Sequence, residues 1–194
     1  MLTFDASTHT YFWDGVKVPS VTSLINEFMQ VTIGGERYHI NRYTGAVIPS
    51  YLMEEGAAKG SDLHRACQLI LQGRLDWDAL DPGYLGPCKQ FVKWLADFSI
   101  EPLYSEFMVY HSRMNYAGCI DLVAINGKSL GIIDLKFGLI GNVSLQLNAY
   151  EKAFCSQEKY MGRTNKYVLQ IPKSGDSYKF EKIDDEQGWE QFKA

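Results

Sequence analysis

Asp121, Asp134 and Lys136 are the residues whose types and spacing first suggest chemistry. Asn126-Gly127 marks a tight hairpin turn between strands expected over 118–125 and 130–137. With those two residues at the tip, Ile125 faces Lys128 and Ile132 faces Asp121. Side chains alternate along a strand, so Asp134 and Lys136 emerge on the face of Ile132, which is also that of Asp121. The rest of both strands is apolar, and charges in such surroundings are costly unless they are paired or hold a cation. Glu106 joins them on the same face if the strand before returns through a tight, even-length turn near Arg113-Met114. One ammonium then meets three carboxylates, a surplus of negative charge that a divalent cation neutralises. Hard oxygen ligands select magnesium, manganese or calcium over zinc, and His64 adds an imidazole from a covering helix. A cation held there polarises a phosphoryl oxygen and lowers the pKa of a bound water, while a lysine stabilises negative charge or orients that water. That is equipment for hydrolysing a phosphodiester. An Asp-x-Lys pair alone is more often a solvated strand edge; the added carboxylates set this one apart.

The elements that must position these residues follow from periodicity. Residues 11–13 and 16–18, joined by Asp14-Gly15, read as an opening β-hairpin. Pro19 ends it, and Ser20 caps a helix beginning near Val21. Helical spacing places a helix over 51–72 that bears His64 and ends at Gly73, and another over 84–98 with Phe91, Trp94, Leu95 and Phe98 on its apolar face. Three strands follow over 106–110, 118–125 and 130–137. A helix over 143–155 comes next, then a strand pair over 166–171 and 177–183 and a short terminal helix from Asp185. Residues 31–50 show no clean period, and we expect a long loop or flap there. Its Arg37, Tyr38, Arg42 and Tyr43 would contact nucleic acid by charge and stacking, although an ordinary solvated loop fits the same residues.

The 194 residues suit one α/β or α+β domain with a full core. The net charge of −4 provides no long-range positive field, although bound cations invert the sign of an acidic site locally. Cys67, Cys88, Cys119 and Cys155 have no paired spacing; we expect reduced core thiols rather than zinc ligands or disulfides. No apolar run is long enough to span a bilayer and no signal core opens the chain, so the expectation is a cytoplasmic protein without membrane contact.

The order Gly60-x-x-x-His64, Glu106, Gly118-x-x-Asp121, Asp134-Leu135-Lys136 and Gln146-x-x-x-Tyr150 resembles the PD-(D/E)XK nuclease superfamily. Within it, the similarity is to the RecB-like and lambda-exonuclease-like branch. The opening His9-Thr10-Tyr11 and Pro19-Ser20-Val21-Thr22 resembles phage and prophage members of that branch. The resemblance implies a restriction-endonuclease-like central mixed sheet flanked by helices. It also implies His64, Asp121, Asp134 and the main-chain carbonyl of Leu135 as ligands of Mg2+ or Mn2+, Lys136 as catalytic lysine and Glu106 as an accessory acid. Gln146 and Tyr150, one turn apart on a helix, would support the lysine and touch substrate. Phe137 replaces the small polar residue often found after the lysine and would alter the pocket wall. Without a clustered C-terminal cysteine group, no iron–sulfur cluster is expected. The implied activity is metal-dependent hydrolysis of DNA, from ends rather than at a specific sequence, in recombination, repair or phage DNA processing. DNA is the expected partner, with a recombination or single-strand-binding protein as a second. Two alternatives share the fold or the chemistry: a non-catalytic DNA- or partner-binding protein, and a nuclease acting on RNA or nucleotides.

Overall fold

The computed structural model describes residues 1–40, 45–138, 142–185 and 187–193, with the backbone alone at 27–29 and 51–59. Strands β1 (Leu2–Asp5), β2 (Thr10–Trp13) and β3 (Val16–Val18) form an antiparallel sheet in that order. The β2–β3 hairpin turns at Asp14-Gly15 as expected; β1 is an addition to it. Helix α1 (Val21–Met29) begins with a reciprocal cap: Ser23 N donates to Ser20 Oγ at 2.9 Å and Ser20 N to Ser23 Oγ at 3.0 Å.

The segment expected to be a loop or flap is instead largely a second small sheet. β4 (Gln30–Ile33), β5 (Glu36–Ile40) and β6 (Val47–Pro49) pair antiparallel in sequence order. Strands of three to five residues are too short to display a period. Gly34-Gly35, which reads as a loop signal, is the tip of a hairpin whose last pair is Ile33 with Glu36.

Helices α2 (Ser50–Leu71) and α3 (Pro82–Asp97) precede the main sheet. Its strands are β7 (Glu101–His111), β8 (Tyr116–Asn126) and β9 (Ser129–Lys136). Helix α4 (Val143–Gln157) then crosses over to β10 (Thr164–Gln170), followed by β11 (Lys179–Lys182) and helix α5 (Gln187–Lys193). The order is β11-β10-β9-β8-β7, with β9 and β10 parallel and the other neighbours antiparallel. This is the expected mixed sheet flanked by helices. On one face, α1, α4 and α5 enclose a core that includes Ile120, Val123, Ile132, Leu147 and Val168. On the other, α2 and α3 enclose Leu63, Phe91, Trp94, Leu122, Ile133 and Leu169. Among the described residues, no helix is long and apolar enough to cross a membrane.

Two features of β7–β9 differ from the sequence reading. Asn126 pairs with Ser129 and Val123 with Ile132, so the register is displaced by two residues. The tip is Gly127-Lys128, and only Gly127 is left-handed (φ 64°), as in the hairpin turn that takes glycine first. The second difference is a crossing of faces. Ile120 packs toward α4, Leu122 toward α2 and α3, and Val123 toward α4 again. Alternation therefore slips at Asp121, and its partner across the ladder slips with it. Phe107 pairs with Ile120 and Ser105 with Leu122, leaving Glu106 opposite Asp121 in a left-handed backbone conformation (φ 51°).

The far core depends on one close backbone contact. Gly175 (φ 68°), in the turn before β11, lies against α3 so tightly that a Cβ there would be 2.3 Å from Gly86 C. Gly175→Ala is therefore expected to cost about 2–4 kcal/mol from strain and overpacking. Urea denaturation measures this, and an unchanged midpoint would contradict the contact.

Candidate metal and catalytic site

The β8–β9 ladder is recorded from Asn126↔Ser129 to Leu122↔Ile133, and the next rung would set Asp121 opposite Asp134. At that level the Asp121 side chain takes the place of a strand: Leu135 N donates to Asp121 Oδ2 at 2.6 Å. Beyond it, β8 continues against β7 and β9 against β10. Their parting opens a fork, and the candidate residues line it.

On the α2 side, His64 Nδ1 lies 3.4 Å from Asp121 Oδ1. Phe137 stands T-shaped to His64, with ring centroids 5.3 Å apart. Donor atoms of His64, Glu106 and Asp121 all lie within 4.8 Å of one another. That spread suits one ion with ligand distances of about 2.0–2.6 Å. Cys119 Sγ donates to Glu106 Oε2 at 3.3 Å. Burial, and then Glu106, push the Cys119 thiol well above its usual pKa, so it remains a protonated donor. All four cysteines are free; Cys67 and Cys88 are core residues as expected, whereas Cys119 and Cys155 are only half-buried.

On the α4 side, Lys136 Nζ donates to Asp134 Oδ1 at 3.0 Å and to Gln146 Oε1 at 3.3 Å. Gln146 Nε2 in turn donates to Tyr150 Oη at 3.0 Å. The expected pairing of Gln146 and Tyr150 on one helix face thus becomes a chain of contacts ending on the lysine. Asp134 Oδ2 is 2.8 Å from Lys136 Nζ but outside hydrogen-bonding geometry, and this buried oxygen has no hydrogen-bond donor among the described residues.

The geometry therefore redistributes the expected ligand set. Glu106, expected as an accessory acid, belongs to the three-donor group, while Asp134 is engaged by Lys136. Asp121 does not share a simple strand face with Asp134 and Lys136. It sits at the crossing point and joins them through the Leu135 amide. At Gly60 a Cβ would meet nothing within 4 Å, so that glycine of the motif makes no close approach to the sheet. Gly118 does. A Cβ at Gly118 would lie 2.5 Å from Tyr150 Cε1 and 3.4 Å from Val21 Cγ2, and the missing side chain makes room for the Tyr150 ring. Arg37 and Tyr38 lie on β5, Arg37 exposed and Tyr38 donating to Glu36 Oε2 at 3.0 Å. Arg42 and Tyr43 lie outside the described residues.

Burial and neighbouring charge set the electrostatics. Burial raises the Asp134 pKa to about 6, against the opposing pull of Lys136. For Asp121 burial also acts upward, but the His64 imidazole and Lys136 outweigh it and hold the carboxyl below its usual value. Burial disfavours the His64 cation, yet Asp121 and Asp134 prevail and raise its pKa. Lys136 is likewise opposed by burial and raised on balance by Asp134 and Asp121. Glu106 is exposed as a residue, but its carboxyl end is walled in; lost hydration, then Asp121, raise its pKa.

The residues fit a hard divalent cation: oxygen donors and one imidazole converge, and a buried carboxylate oxygen lacks a donor. No protein-family model matches this chain, and no curated protein matches it.

Two predictions follow from the geometry. Gly118→Ala is expected to displace Tyr150 and cost about 1–3 kcal/mol of stability, read by urea denaturation; an unshifted midpoint would show that the ring has other room. Bound cations require deprotonated ligands. Because protons leave Asp134 near 6 and His64 at a raised pKa, Mn2+ affinity should rise as pH is taken from below to above about 6. Calorimetric titration across that range tests this, and a flat profile would contradict it. Without metal the His64 contribution to stability runs the opposite way, present at low pH and lost as pH rises through its raised pKa.

Proposed function

We propose that this protein is a divalent-metal-dependent deoxyribonuclease of the RecB-like exonuclease type. One observation carries the reading. In the fork between β8 and β9, the His64, Glu106 and Asp121 donors gather beside a lysine whose ammonium is held by Asp134 and Gln146. The order of these residues, and a mixed sheet flanked by helices, support the resemblance to PD-(D/E)XK nucleases and with it a restriction-endonuclease-like fold.

Mg2+ or Mn2+ bound there would supply Lewis acidity to a phosphoryl oxygen and acidify a water. His64, Glu106 and Asp121 would hold it, and Asp134 Oδ2, ion-paired with Lys136 but without a hydrogen-bond donor among the described residues, could join them. Asp121 is fixed by the Leu135 amide and by His64, which limits reorganisation when charge develops. Lys136 stabilises negative charge on the phosphoryl group. Gln146 and Asp134 aim its ammonium, and Tyr150 fixes Gln146. The small sheet bearing Arg37 and Tyr38 packs on α2 through β5 and β6, on the element that carries His64, and would guide the DNA backbone.

The test is incubation of the purified protein with linear and circular DNA in Mg2+ or Mn2+. Linear DNA is expected to be degraded, and Lys136→Ala to lower the rate about a hundredfold or more. Equal inertness of wild type and variant in every metal would refute catalysis. DNA retention in EDTA without cleavage in metal would identify a binding protein, and preferential loss of RNA would reassign the substrate.

A further inference from the structure

The N-terminal hairpin holds the opening His9-Thr10-Tyr11, which the proposed chemistry leaves unused. It is docked on the strand that carries Asp121. Ala117 N donates to Pro19 O at 2.9 Å, Ser20 bridges Ala117, and Trp13 stacks on Tyr110 at 4.2 Å. Tyr11 lies on the middle strand, paired with Phe4 and Val18, and only 6% of it is exposed. It packs with Val18, Tyr110 and Ala117 in a small core that Cys119 joins, and Cys119 is the thiol bonded to Glu106. The Tyr11 ring therefore abuts the wall of the carboxylate cluster.

Burial first, then Cys119, Glu106 and Asp121, keep the Tyr11 phenol protonated well above its ordinary range, so it remains a neutral donor. None of the hydrogen bonds among the described residues uses its hydroxyl. The ordinary alternative is a core tyrosine with its tip toward water. Its neighbours distinguish this one: the buried ring packs with Cys119, whose thiol bonds Glu106 of the His64–Glu106–Asp121 donor group, and its hydroxyl has no protein partner among the described residues.

We infer that Tyr11 is a substrate-binding residue of the candidate site, its hydroxyl donating a hydrogen bond to a phosphoryl oxygen of the nucleic acid held at Glu106 and Asp121. The inference rests on the proposed nuclease reading and adds the hairpin to the site. The opening motif thereby gains a role: Tyr11 supplies the donor, while Pro19 and Ser20, just after β3, fasten its small sheet to β8.

The probe is thymidine 5′-monophosphate, a product that needs no cleavage to report binding. Calorimetry on the Mn2+-loaded protein is expected to show Tyr11→Phe weakening it about tenfold, the effect of one hydrogen bond to a charged oxygen. Mn2+ affinity and Tm should stay as in wild type, since the ring is kept. Equal affinity for the monophosphate in both proteins would overturn the inference while leaving the nuclease reading intact. A wild type that takes up no Mn2+ would remove both. Should the variant fold poorly, wild type with ring-carbon-labelled tyrosine decides. The Tyr11 Cζ resonance should move when the monophosphate is added to metal-loaded protein, and an unmoved resonance overturns the inference.

Discussion

The hydrogen bond from the Leu135 amide to the Asp121 carboxylate is the contact on which the site depends. An antiparallel ladder ends where a strand stops or where a side chain substitutes for the partner's carbonyl. Here it is the second, and the substituting group is an acid. The backbone donor is satisfied, as a buried amide must be, yet the two strands are free to part. One contact thus ends the pairing, fixes a carboxylate and opens the fork.

Charge is partitioned across that opening. Asp121 is kept ionised by the imidazole and ammonium near it, whereas Asp134 resists ionisation because it is buried deeper, even with Lys136 beside it. Two acids with different environments lie close to one lysine; in the proposed nuclease a cation would compete with the lysine at Asp134 and with a proton at His64. The Gln146–Tyr150 chain keeps the lysine aimed during such an exchange. Both residues ride on α4, the crossover that joins the lysine strand to its parallel neighbour, so local chain connectivity carries part of the positioning.

The strands and helices around this site were largely legible in the sequence, because a long amphipathic helix and an alternating strand each declare a period. The exceptions have physical causes. The hairpin tip is Gly127-Lys128 rather than Asn126-Gly127, a displacement of two residues. An even displacement leaves the β9 side chains on their expected face, so Asp134 and Lys136 stayed together, while Asp121 reaches them through the Leu135 amide. The crossing at Glu106 and Asp121 had no local signal, since neither is a glycine and the flanking apolar residues suit either face. It brought Glu106 into the three-donor group and set Asp121 between the two halves. The β4–β6 sheet was hidden because its strands are shorter than any reliable period. Gly118 stood in the motif, but its reason, a cavity for the Tyr150 ring, exists only in three dimensions.

The left-handed backbone at Glu106 also bears on a hazard far from chemistry. β7 is an eleven-residue edge strand with Leu103, Tyr104 and Met108 exposed along it. A flat, apolar edge of that length is a template for another chain, and uncontrolled association follows. The kink at Glu106, the register irregularity between Pro102 and Tyr104 and the missing amide hydrogen of Pro102 interrupt that template. The distortion that delivers a carboxylate to the fork also guards the sheet against aggregation.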